Sequence, residues 1–232
     1  MGKISNIVSR SGAVALIGGG QIDAGDVELA LSGSEALVAA DGGARAALDH
    51  GHMPDAVFGD FDSLDADTAA RIPADRLFPI REQDSTDFDK ALRHISAPLV
   101  LAAGFLGGRV DHQLAVLNTL VRRETSSCLL IGAHEVIFHA PPQIALTLDK
   151  GATLSLFPLA PVMGRSEGLR WPIDGIAFTP AGRVGTSNEV TGPLRLRFDN
   201  PGMIVMVPRA ALGQVRQAFL ARDRARWPAR AV

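Results

Sequence analysis

The chain has 232 residues, 47% of them hydrophobic and 21% charged. That composition excludes a disordered chain and leaves room for one large domain or two smaller ones. A formal net charge of −2 provides no field to hold a nucleic acid or an acidic membrane surface. No apolar run approaches the roughly 20 residues that span a bilayer.

The N-terminal segment, residues 1–20, has only a short apolar stretch before its glycines and reads as a poor signal peptide. The single cysteine, Cys128, can form no internal disulfide. A reducing, cytoplasmic setting is therefore expected. From residue 13 onward short apolar runs alternate with helical patterns, the rhythm of a parallel sheet flanked by helices. Strands are expected at 13–18, 36–41, 56–63, 76–81, 98–104 and 128–133. Helices are expected at 42–51, 64–72, 86–95 and 111–123. In the third helix Phe88, Ala91, Leu92 and Ile95 recur at helical spacing. Thr86, with Asp89 three residues on, fits its N-cap.

The pattern changes near Pro141. Residues 145–160 and 194–208 alternate apolar with polar positions, punctuated by glycine and proline, as antiparallel strands do. Residues 211–227 return to a helical pattern with a basic outer face. Two domains are expected, an α/β domain over 1–140 and a β-domain over 141–232.

In open parallel sheets, ligands bind outside the carboxyl ends of the strands. Those ends read GGGQ, ADGG, GDFDS and AAGFLGGRVDH, so Asp41, Asp60, Asp62 and Asp111 should converge, joined by Asp84 and Asp87. Like charges so close repel unless a cation lies among them. Oxygen ligands without a His or Cys cluster suit Mg²⁺, an ion that accompanies phosphates. Arg81, Lys90 and Arg109 are the nearby counter-charges for a polyphosphate. Asp60 and Asp62 project to one side if their segment is extended; the alternative is a turn into the next helix. Gly18–Gly20 read equally well as a tight turn, and the scattered histidines have no metal-ligand spacing.

At these residues the chain resembles the thiamine pyrophosphokinase family. The motifs in order are ADGGA (40–44), PDAVFGDFDS (54–63), QDSTDFDKAL (83–92) and GGRVDHQ (107–113). In the β-domain they are GLRW (168–171), TSNE (186–189) and a GPL turn (192–194). The resemblance implies a Rossmann-like parallel-sheet domain followed by a small antiparallel β-sandwich-like domain, assembled as a homodimer with active sites at the subunit interface. It implies pyrophosphoryl transfer from ATP-Mg²⁺ to the hydroxyl of thiamine, giving thiamine diphosphate and AMP; the alternative is another alcohol acceptor such as a hydroxymethyl pterin.

By the same resemblance Asp41, Asp60 and Asp62 belong to the metal and phosphate region. Gly19, Gly42, Lys90, Arg109 and Asp111 lie along the nucleotide. Asp87, then Asp84, would orient or deprotonate the hydroxyl, with Asp62 beside them. Trp171, Ser187 and Asn188 would meet thiamine, the indole face attracting its permanent positive charge. The bland reading of Trp171 is β-domain core. Ser166 precedes GLRW where relatives carry a run of hydroxyl residues, and His112 is given no chemistry.

Overall fold

The structure, a computed structural model, describes residues 6–228; the first residues of the N-terminal segment lie outside them. By packing it divides into two compact units. The first runs to Thr119 and takes up Leu130–Gly132, and the second holds Leu120–Leu129 and the chain from Ala133 onward.

The chain order opens with β1 (Val8–Ser9), β2 (Ala13–Ile17), α1 (Asp26–Leu31), β3 (Ser34–Ala40), α2 (Gly43–Asp49), β4 (Ala56–Gly59) and α3 (Ala66–Ala70). It continues with β5 (Leu77–Pro79), α4 (Asp87–His94), β6 (Ile95–Ser96), β7 (Val100–Ala103), α5 (Val110–Arg122) and β8 (Cys128–Ile131). β7, β2, β3, β4 and β5 lie side by side, all parallel, and β8 borders β7. Every residue of β2 is buried, as are Leu37–Ala40 and all of β4. Strands covered on both faces have no polar side to show, which is why these segments read as unbroken apolar runs.

α4 starts where expected: the Thr86 hydroxyl accepts the Asp89 N–H at 3.3 Å. Asp87 and Asp89 in its first turn favour the positive end of the helix dipole. Its buried Phe88, Ala91 and Leu92 form the core-facing stripe. The carboxyl ends of β2, β3, β4 and β7 lead into Gly18, Asp41, Asp60 and Gly104 respectively.

The second unit contains β9 (Glu135–His139), β10 (Gln143–Leu146), β11 (Thr153–Pro158), β12 (Val162–Leu169), β13 (Ala177–Phe178), β14 (Gly185–Phe198), β15 (Met203–Pro208) and α6 (Leu212–Leu220). Its strand pairs β10–β14, β11–β14, β11–β15, β12–β13, β12–β14 and β9–β15 are antiparallel, and among the described residues a single isolated bridge, Phe178 to Arg183, is parallel. β9 pairs with β15, so antiparallel structure begins before the change of pattern near Pro141. The first half of β14 pairs with β11 and its second half with β10 and β12, the arrangement of a small sandwich. Leu194, Leu196 and Phe198 are buried while Arg195 and Arg197 face out, the alternation seen in the sequence.

Two expectations are corrected here. Residues 192–194 lie inside β14 and form no turn. Pro193 falls between the paired residues Val190 and Leu194, so its missing N–H costs the ladder nothing. The terminal helix stops at Leu220, because its buried residues Leu212, Val215 and Phe219 have no apolar successor at helical spacing in the basic stretch that follows.

Candidate active site

The carboxyl edge of the parallel sheet carries the acidic cluster. Asp41 leaves β3 with φ 45, a left-handed conformation unusual for a residue with a side chain. The adjoining backbone is packed tightly enough to hold it there. A Cβ on Gly43 would lie 2.1 Å from the Ile17 carbonyl oxygen, and one on Gly59 would lie 2.9 Å from Asp41 Cβ. The second glycine of ADGG, Gly43, and the glycine of FGD, Gly59, are thus required by close approach of neighbouring chain segments, whereas a Cβ on Gly42 would meet nothing nearer than 3.6 Å.

The segment after β4 is bent, not extended. Phe61 has φ 67, and the Asp62 N–H reaches back to Asp60 Oδ1 at 3.4 Å. Asp60 and Asp62 therefore share the site through a turn and not through strand alternation, which corrects the extended reading. Oxygens of Asp41, Asp60 and Asp87 come within 4.8 Å of one another. The third member of this cluster is Asp87, from the N-terminus of α4; Asp62 is exposed and accepts the Ser63 hydroxyl at 3.0 Å.

These groups influence one another electrostatically. Burial, and then the adjoining Asp62 carboxyl, push Asp41 up to about 6, against the Ser63 N–H that donates to its Oδ2 at 3.2 Å. Burial also lifts Asp87, with Lys90 pulling the other way. Asp60 is desolvated too, but the Asp62 N–H, Lys90 and Gln83 together hold it below the usual carboxylate range. Asp41 Oδ1 is buried with no hydrogen-bond partner among the described residues. Three converging carboxylates, one with an orphaned oxygen, are a donor set that fits a hard divalent cation.

A cavity of about 450 Å³ opens beside the cluster, lined by Gly19, Gly20, Asp41, Gly42, Asp87 and Arg109 among others. Its wall also contains Ser63, Phe105 and His112, to which sequence reasoning gave no role. Arg109 is ion-paired with Asp111 at 2.6 Å, and both are exposed. Lys90 departs from expectation. Its side chain is only 2% exposed, and its ammonium is bonded to Asp60 at 3.3 Å and Asp87 at 3.1 Å, so it braces carboxylates and does not line the cavity. Asp84 is exposed and stands outside the cluster of three; its N–H donates to Glu82 Oε2 at 2.8 Å.

Glu82 and Arg93 were not foreseen. The Glu82 carboxylate also accepts the Ser85 hydroxyl and the Arg93 guanidinium. Ser85, then Arg93 and the Asp84 N–H, hold it down at about 2. Gln83 was visible in its motif, and its amide donates to Asp60 Oδ2 at 3.2 Å.

In the second unit Trp171 is 55% exposed, which excludes the core reading. Arg170 lies over its ring at 5.2 Å and is paired with Glu189 at 2.9 Å. Asn188 is buried. Its side chain accepts the Trp171 N–H at 3.2 Å and donates to the Trp171 carbonyl at 2.7 Å, so it fixes the backbone that presents the indole. Ser187 is exposed at φ 57, its N–H donating to Ser155 Oγ at 2.9 Å. Ser166 accepts the Ile173 N–H at 3.1 Å, an internal bond of the unit.

The class defined by this fold and cleft is an α/β protein with a cation-competent acidic site at the carboxyl edge of its parallel sheet, joined to an antiparallel β unit. The family follows from comparison. The model "Thiamin pyrophosphokinase, catalytic domain" matches residues 27–131, and "Thiamin pyrophosphokinase, vitamin B1 binding domain" matches residues 141–202. The chain belongs to the thiamine pyrophosphokinase family.

It is similar to thiamine pyrophosphokinase 1 of Oryza sativa subsp. japonica, 27% identical over 158 residues, 60% of each chain. Thiamine pyrophosphokinase 1 of Arabidopsis thaliana is 27% identical over 164 residues, 62% of this chain and 61% of the relative. These matches span about three fifths of the plant proteins' length. In fold it resembles thiamin pyrophosphokinase from Candida albicans, with TM-score 0.74 and 17% identity, covering 88% of this chain and 92% of that one. The Bacillus subtilis structure gives TM-score 0.69 at 24% identity, covering 84% and 98%.

Proposed function

We propose that the chain is a thiamine diphosphokinase, transferring the pyrophosphoryl group of ATP to the hydroxyl of thiamine with release of AMP. The observation that carries this reading is the convergence of Asp41, Asp60 and Asp87 beside a glycine-lined cavity, in a chain of this family. The second matched domain, named for vitamin B1 binding, and the exposed Trp171 support thiamine over a pterin alcohol as acceptor.

Asp41 and Asp60, with Asp62 adjoining, would hold Mg²⁺, which when bound would neutralise charge on phosphate oxygens. Gly19 and Gly42 let a polyphosphate approach the backbone closely, and Arg109, steadied by Asp111, supplies counter-charge at the cavity wall. The thiamine hydroxyl oxygen bonds to the β-phosphorus as the bond from that phosphorus to the α,β-bridging oxygen breaks. Asp87 takes the hydroxyl proton, a role suited to a carboxyl lifted by burial, and Asp84 is the second choice for it. Catalysis here is chiefly positioning and charge balance. Lys90 keeps Asp60 and Asp87 in place, Asn188 holds the Trp171 backbone so that the indole can meet the cationic ring of thiamine, and the exposed Ser187 would meet thiamine beside it.

A cytoplasmic homodimer completes the proposal. Among the described residues no helix is long and apolar enough to cross a membrane. Val110 and Leu114, one turn apart on α5, are 67% and 60% exposed and suit a second copy. The test is AMP formation from ATP and Mg²⁺ by the purified chain. AMP production that depends on thiamine supports the reading; ADP, or phosphate release without acceptor, refutes it.

A further inference from the structure

The loop before α4 is tied down from its outer side by a knot of side chains that does not line the cavity. Glu82 accepts three donors: the Ser85 hydroxyl, the Arg93 guanidinium and, at 2.8 Å, the Asp84 N–H. Arg93 comes from the last turn of α4, so this bond closes the helix back onto the loop that precedes it. The same guanidinium donates to Ser85 Oγ at 3.0 Å and lies 3.5 Å from Asp89, one turn earlier. Arg93 is largely buried and Glu82 about two-thirds buried, so water competes weakly for these bonds.

The inner side of the same short stretch carries the site. Gln83 reaches Asp60, Asp87 joins the carboxylate cluster, and Lys90 ties Asp87 to Asp60. Between Glu82 and Asp87 the chain has no regular secondary structure to fix it. At its far end Thr86 is held by the helix, its hydroxyl accepting the Asp89 N–H and its carbonyl the Lys90 N–H at 2.9 Å. Lys90 offsets only part of the repulsion among three carboxylates within 4.8 Å of one another, so the loop that carries Asp87 must itself be held.

We infer that Glu82 and Arg93 are a positioning pair, which fixes the 82–87 loop so that Gln83, Asp84 and Asp87 are pre-set for the cation and the phosphates. The inference rests on the proposed function for its kinetic consequence, but not for its structural one. Arg93 suits the task better than lysine would, because its planar fork can serve Glu82, Ser85 and Asp89 together.

The test uses the full chain with Glu82→Ala, Glu82→Gln, Arg93→Lys and the Glu82→Ala/Arg93→Lys double variant. Without metal or substrate, hydrogen exchange at the Asp84 amide should be much faster in Glu82→Ala than in the parent. Mn²⁺ binding, followed by titration calorimetry, should weaken. With substrates, kcat should fall roughly 10- to 100-fold with KM for thiamine nearly unchanged, as for partners that orient ligand groups. Glu82→Gln should retain part of the activity, and the double variant should be little worse than its worse single.

Unchanged Asp84 exchange, or full kcat in Glu82→Ala, overturns the inference. If Glu82→Ala does not fold, Ser85→Ala decides, since it removes one hydroxyl and leaves the ion pair. A loss of roughly 2- to 5-fold in kcat at unchanged melting temperature supports the pair, and no loss refutes it. A parent protein that makes no AMP refutes the function alone, because the exchange and Mn²⁺ readings still judge the loop.

Discussion

The ammonium of Lys90 lies 3.1 Å from Oδ1 of Asp87, three residues earlier on α4, inside the protein. A buried cation beside desolvated carboxylates lets them stay ionised before any metal arrives. Lys90→Met keeps the volume and removes the charge. Breaking a buried pair in this way typically costs about 3–5 kcal/mol, so the metal-free protein should melt well below the parent. Mg²⁺ should recover part of the loss by taking over the neutralising role. A calorimetric scan with and without Mg²⁺ checks this.

Asp41→Asn has opposite effects on stability and function. The Asp41 carboxyl is raised from 3.8 to about 6 in the native state, chiefly by burial. The native protein therefore loses stability as pH rises from about 4 through 6, because the charged form is better solvated unfolded. Asparagine has no such penalty. The metal-free variant should be more stable than the parent above about pH 6, by about 1–3 kcal/mol, with the difference vanishing below about pH 4. Activity should be nearly lost. Denaturant melts across that pH range, without metal, check the sign.

Asp62→Asn should leave the fold unchanged, since Asp62 is exposed and its bond to the Ser63 hydroxyl survives in an amide. Turnover should fall by about 10²–10⁴-fold. Near-normal AMP formation would remove Asp62 from the site.

Trp171→Ala and Asn188→Ala separate contact from support. Trp171 is mostly exposed, so its loss should barely move the melting temperature while raising KM for thiamine roughly 3- to 30-fold, the scale of a cation–π contact. Asn188 is buried and holds the Trp171 backbone by two bonds. Its loss should raise KM similarly and also lower stability by about 1–3 kcal/mol.

The parallel sheet was legible because buried strands and amphipathic helices leave different periods in the sequence, as in the unbroken β2 and the stripe of α4. The meeting of Asp41 and Asp60 followed from one rule about the carboxyl ends of strands, but Asp87 reaches them from the start of α4, and Asp84 and Asp111, expected with them, stand outside the cluster of three. Geometry at the level of the single residue was not legible. Positive φ at Asp41 goes with close packing around Gly43 and Gly59, and positive φ at Phe61 with the turn that brings the Asp62 N–H back to Asp60, neither of which a local pattern encodes. Lys90 looked like a phosphate ligand because sequence gives its charge and not its burial. Glu82 and Arg93 are eleven residues apart, and only the turn at 82–86 brings them together. The long β14 hid its continuity behind Gly192 and Pro193, residues that usually signal a turn.

The most direct measurement follows the β-phosphorus. The purified chain is incubated with Mg²⁺, thiamine and ATP carrying ³²P at the β position, and the products are separated. Label in thiamine diphosphate beside unlabelled AMP is the predicted result. Label in ADP, or in free pyrophosphate whether or not thiamine is present, would contradict pyrophosphoryl transfer at this site.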